Sequence, residues 1–133
     1  MYQRFIWLVL VLAVCAALAA RAQDANFTGK TATLDASKVA AGRRLFEAGA
    51  RSNWHSHPNG QLIFSESGLG LHQAQGRPLE QLRTGQSTYV GPNVVHWHGA
   101  APDTAFTQLN IGWGGTTQWG APVSDAEYAG MAK

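Results

Sequence analysis

From residue 31 onward, apolar and polar side chains alternate in short runs, each ended by glycine, proline or asparagine. Runs compatible with strands lie at 31–35, 43–47, 53–57, 61–66, 69–75, 79–82, 87–90, 95–98 and 104–112. Turn signals separate them at Pro58-Asn59-Gly60, Ser67-Gly68, Gly76-Arg77-Pro78, Thr84-Gly85 and Gly91-Pro92-Asn93. Even, short spacing of this kind predicts an all-β sandwich or barrel. No stretch of this region keeps helical periodicity for three turns. One short helix is predicted after Ser124. In Ser124-Asp125-Ala126-Glu127 the hydroxyl caps the first amides while the glutamate reaches back, and the helix runs to about Gly130. It is expected to pack as a lid or a dimer strap. Trp54, Trp97 and Trp113 are expected to pack between sheets or across a subunit interface.

The first residues follow a different pattern. A short start with one positive charge, an unbroken apolar run over 5–20 and the string Ala20-Arg21-Ala22 have the order of a secretory signal. The run is short for a membrane span, which needs about 20 apolar residues. The expected organisation is a signal peptide at 1–22, a leader at 23–30, a barrel at 31–115 and a tail with the helix at 116–133. An uncleaved N-terminal anchor is the alternative. Cleavage after Ala22 removes Cys15, the only cysteine, and with it any disulfide, thiolate nucleophile or cysteine-held zinc. Export to the periplasm or medium follows from the signal.

The chain of 133 residues carries ten basic and eight acidic side chains, and loss of Arg4 and Arg21 leaves eight of each. No Lys/Arg cluster remains to hold phosphates, which argues against nucleic-acid binding. A single small domain buries only about 65% of its unfolded surface, so a homodimer or higher homo-oligomer is expected.

The chemistry lies in histidine. Side chains alternate along a strand, so His55 and His57 share a face while Trp54 and Ser56 take the other. The turn at 58–60 then brings Gln61 in beside them. After a second turn His96 and His98 share a face opposite Trp97. Three imidazoles and a carboxamide on two β segments make a divalent-metal site, and a barrel interior can gather them at one point. His72 is read as a structural or surface residue. Arg51 is read as a solvated edge residue, with capture of a carboxylate as the alternative.

These strings resemble the cupins. Residues 49–68 follow the first cupin motif: glycine, five residues, H-x-H, three residues, a ligand, six residues, glycine. Gln61 stands where most cupins have glutamate. Residues 85–100 follow the second motif through Gly85 and His96, with Gly91, Asn93 and Ala100 replacing the usual proline, glycine and asparagine. Asn93 tolerates the left-handed conformation that turn requires. The resemblance implies a small cupin barrel, a double-stranded β-helix or jelly roll.

The Gln ligand, the W-H-x-H-P string and the run His96 to Pro102 narrow the likeness to manganese-dependent, hydroxynitrile lyase-like cupins, the (R)-mandelonitrile lyase-like group. That likeness implies His55, His57, Gln61 and His96 as metal ligands and His98 as base. Gln108 departs from it, since the group often carries a histidine there. Only one of Thr107 and Gln108 can face the cavity. Mn2+ is the ion the resemblance puts first, with Fe2+, Ni2+, Co2+ and Zn2+ open. Four uncharged ligands leave the ion its full charge, which favours polarising a substrate oxygen over activating O2. The expected activity is metal-assisted carbon–carbon cleavage of a small molecule, with His98 taking the proton. The alternatives are a cupin dioxygenase using Fe2+ and O2, and a non-enzymatic module that binds metal or a small ligand.

Overall fold

The structure is a computed structural model that describes residues 26–29 and 31–130. It divides into two units, Met1–Asp35 and Ala36–Lys133. The segment 1–22, read as a signal peptide, and residues 23–25 and 30 of the leader lie outside the described residues. In the first unit, 31–35 is exposed coil and not the strand its alternation suggests. Among the described residues no helix is long and apolar enough to cross a membrane.

The second unit is a curled antiparallel sheet. Its strands are β1 (Ala40–Phe46), β2 (His55–Ser56), β3 (Gln61–Ala74), β4 (Glu80–Arg83), β5 (Ser87–Val90), β6 (His96–Ala100), β7 (Phe106–Gly112) and β8 (Gln118–Trp119). One short helix, α1 (Asp125–Tyr128), follows them. This is the small all-β barrel with a C-terminal helix that the turn spacing and the cupin motifs predicted.

β3 organises the barrel. Its first half pairs with β5 and β7, its second half with β4 and β6. Ser67-Gly68, read from sequence as a turn, instead lies inside this one long strand, just after a bulge at Glu66. The register with β7 shifts between Ser65 and Ser67, and Gly68 has φ +82°. An extra residue reverses the side-chain alternation. Gln61, Ile63 and Ser65 are buried before the bulge; Gly70 and His72 are buried after it, on the same interior side. Asn93 adopts φ 60°, the left-handed turn expected of it.

Parity divides the core. On the interior side Phe46, Ile63, Leu82, Ala100 and Phe106 pack together. Leu71, Trp97, Ala101 and Val123 form a second cluster with Trp54, Leu69, Leu79 and Tyr128 packed against it. The second cluster is roofed by the C-terminal segment. Ser124 and Glu127 form the expected capping box, with Ser124 N–H donating to Glu127 Oε2 at 2.7 Å and Glu127 N–H to Ser124 Oγ at 3.3 Å. Arg51 is not a solvated edge residue. It donates to Val123 O at 3.1 Å and to Asp125 Oδ1 at 2.6 Å, and lies 4.3 Å above the Tyr128 ring. Tyr128 Oη donates to Ala100 O at 2.7 Å. The tail also supplies β8, where the sequence reading expected only a helix, and it pairs with β2.

Candidate metal centre

The protein has five histidines, and the barrel brings all of them into one cluster. Strand register explains how. His55 on β2 stands directly across from His96 on β6, and their ring centroids are 4.3 Å apart. His98 follows His96 on the same face, and its cross-strand partner is His72 on β3. His57 lies 5.1 Å from His55 and 5.6 Å from His96, centroid to centroid. The ring of His98 lies 5.1 Å from that of His55, and the ring of His72 lies 5.8 Å from that of His96. Four of these side chains are buried, and His57 sits half-buried at the rim.

The ligating atoms of His55, His96 and His98 lie within 4.8 Å of one another, a triad able to bind a divalent ion. Hydrogen bonds on the far side of two rings set which nitrogen faces inward. His55 Nδ1–H donates to Asn53 O at 2.9 Å, and His96 Nδ1–H donates to Val94 O at 3.1 Å. A carbonyl oxygen only accepts, so each Nε2 keeps its lone pair for the interior. His57 Nδ1 lies 3.2 Å from the Thr117 hydroxyl, which can donate or accept, and its Nε2 is buried without a partner. Gln61 Oε1 lies 3.1 Å from His96 Nε2. Two lone pairs facing each other at that distance repel unless a cation lies between them or the amide nitrogen turns inward to donate. The donor set therefore fits a divalent ion. His98 differs: its Nδ1 is buried with no partner, and its ring stands edge-on to Phe46 at 5.7 Å.

Burial makes every imidazole harder to protonate. It is the largest cause in each case. Burial, with the neighbouring His55 second, lowers His96 to about 3, and burial followed by His55 and His96 takes His98 well below its usual value. Near neutral pH the cluster is a set of uncharged donors, as metal binding requires. A stability consequence follows for the metal-free protein. The folded-state values lie below 6.5, so the unfolded chain binds more protons in acid. Stability is held above pH 6.5 and is lost as pH falls toward 3, with His96 alone contributing on the order of 5 kcal/mol. Urea unfolding of metal-free protein between pH 7 and 4 measures this; a flat profile contradicts it.

Of the side chains singled out from sequence, His55, His57, Gln61, His96 and His98 are all brought together. Gln108 rather than Thr107 faces inward. It is fully buried opposite Ser65, donates from Nε2 to Asn110 Oδ1 and leaves Oε1 unpartnered. Sequence reading missed His72, which is buried and whose Nδ1 is 3.3 Å from Glu80 Oε2. It also missed Thr117 on His57, and Trp119, whose ring covers His55 at 4.8 Å.

Known proteins resemble this chain in sequence and fold. Residues 42–112 match the Cupin domain family model. The chain is 39% identical over 97 residues to an (R)-mandelonitrile lyase from Granulicella tundricola, covering 71% of this chain and 74% of that one. Among solved structures, a cupin-like protein from Thermotoga maritima is 39% identical with a TM-score of 0.67, over 68% of this chain and 71% of the other. A DMSP lyase from Ruegeria pomeroyi, at 21% identity and TM-score 0.58, covers 66% of this chain and 46% of its own, and shares the fold.

Proposed function

Since the chain belongs to the cupin domain family, we propose that it is a metal-dependent lyase. In this reading His55, His57, Gln61 and His96 hold one divalent ion, and His98 is the base for carbon–carbon cleavage of a hydroxynitrile-type small molecule. The observation that carries it is the pair of outward-held Nδ1–H groups on His55 and His96, which leaves two Nε2 lone pairs facing the interior beside the buried, unpartnered Nε2 of His57. The substrate class rests on the 39% likeness to the mandelonitrile lyase. Once bound, a divalent ion among four uncharged ligands supplies an undiminished positive charge that polarises a substrate oxygen. Manganese is the ion proposed.

His98 is suited to the proton. It is buried, uncharged near neutral pH, and lacks a fixed partner on Nδ1. It takes the hydroxyl proton as the carbon–carbon bond breaks, the bonding electrons leave with cyanide, and the carbonyl product forms. The proton on His98 then passes to cyanide. Gln61 and the three histidines add no charge of their own, and the Phe46 ring packs edge to face with His98.

His98→Ala is expected to keep about one ion per chain while mandelonitrile turnover falls at least about a hundredfold. His57→Ala is expected to lose the ion. Elemental analysis and cyanide release measure the two. A second reading has an observation of its own: His98, not His57, stands with His55 and His96 in the triad whose ligating atoms lie within 4.8 Å of one another. If His98→Ala loses the ion instead, His98 is a ligand, the base assigned here is lost, and a non-enzymatic metal-binding module is favoured.

Export and self-association complete the proposal. The apolar run and the Ala20-Arg21-Ala22 string support export to the periplasm or medium. Exposed Leu45, Tyr89 and Trp119 support a homodimer.

A further inference from the structure

His72 has no part in the chemistry above, yet its surroundings are not those of a satisfied structural histidine. It lies on the interior side of β3, across from His98, and is 4% exposed. Its Nδ1 faces Glu80 Oε2 at 3.3 Å, and Glu80, on the adjacent β4, is 54% exposed on its side chain. An ionised carboxylate only accepts, so Nδ1 carries the hydrogen and Nε2 the lone pair. That Nε2 is buried and has no hydrogen-bond partner. A buried acceptor without a donor is costly, and the cost is removed when a donor arrives. The Glu80 contact fixes both the tautomer and the direction of the ring, as a carboxylate does for an imidazole that must meet a ligand.

We propose that His72, held by Glu80, is a substrate-contacting acceptor, and that the natural substrate carries a second hydrogen-bond donor, an O–H or N–H beside the group that reacts. This rests on the lyase reading only for the placement of the substrate next to the ion. His98 takes the reacting hydroxyl; His72 takes the second donor and selects molecules that have one.

The three ring-hydroxylated benzaldehydes, compared with benzaldehyde itself, test it on the zinc-loaded full chain by calorimetry and by 15N NMR of the histidines. At least one hydroxylated isomer is expected to bind about tenfold more tightly than benzaldehyde and to move the His72 Nε2 resonance. Glu80→Ala, at an exposed position, is expected to abolish that advantage. Glu80→Gln, which keeps an acceptor oxygen, is expected to retain it. His72→Ala is expected to lose the advantage with metal content unchanged. The proposal is overturned if no isomer outbinds benzaldehyde, if the advantage survives Glu80→Ala, if Nε2 carries the proton, or if His72→Ala loses the ion. Failure of the lyase reading shows separately, as wild-type protein that binds these aldehydes but does not release cyanide from mandelonitrile.

Discussion

His96→Ala is expected to weaken binding of a divalent ion by about 10²–10³-fold and to abolish turnover. His96 is the hub of the cluster. It is fully buried, pairs across the sheet with His55, and faces Gln61 Oε1 at 3.1 Å. Its Nδ1 is already committed to Val94 O, so no other nitrogen of this side chain can take the place of Nε2. The strands that frame the site are held by backbone ladders, β3 to β6 and β3 to β7, which do not use the imidazole. The variant is therefore expected to keep its β-sheet circular dichroism. The diagnostic difference is thermal. Manganese at a hundred times its dissociation constant stabilises a one-site protein by about 2.7 kcal/mol. The wild type should show the corresponding rise in melting temperature and the variant should not. An unchanged manganese-dependent rise in the variant would mean that the ion sits elsewhere.

The second large effect is on folding, at Gly68→Ala. Gly68 has φ +82°, and an added Cβ would come within 1.8 Å of the Ala105 carbonyl oxygen and 2.9 Å of its carbon. Both atoms are backbone, so no side chain can swing aside. The variant is expected to lose about 4 kcal/mol or more in urea unfolding, a large fraction of the stability of a small domain. The reason reaches the site. Gly68 follows closely on the bulge that turns the second half of β3 over, so that His72 faces the same interior as Gln61. A partly folded variant is expected to have lost the His72–His98 register as well. Wild-type stability in Gly68→Ala would contradict the close approach of β3 and the segment before β7.

That bulge also marks where sequence reading stopped. Alternation within a strand places His55 with His57 and His96 with His98, because each pair lies on one uninterrupted segment. The cupin motif spacing ties Gln61 to them, and the capping box at Ser124 is local enough to be legible in four residues. His72 was not legible. With 61–66 and 69–75 taken as separate strands around a turn, nothing carries the face of Gln61 across to His72. An unbroken count also fails, since residues eleven apart would face opposite sides without the extra residue. β8 was missed for a different reason. Two exposed residues, Gln118 and Trp119, make no apolar pattern, and their pairing with His55 and Ser56 is set by long-range packing. The stretch 31–35 erred the other way: it alternates, but it is exposed coil. Arg51 looked like an edge residue because its partners, Val123 and Asp125, come more than seventy positions later.

The most direct test is a count of metal. Full-length protein, purified without chelator and equilibrated with excess Mn2+, then freed of loose ions by gel filtration, is expected to retain about one divalent ion per chain by elemental analysis. A chain that retains none, while still folded, would contradict the convergence of His55, His57, Gln61 and His96 on a single cation.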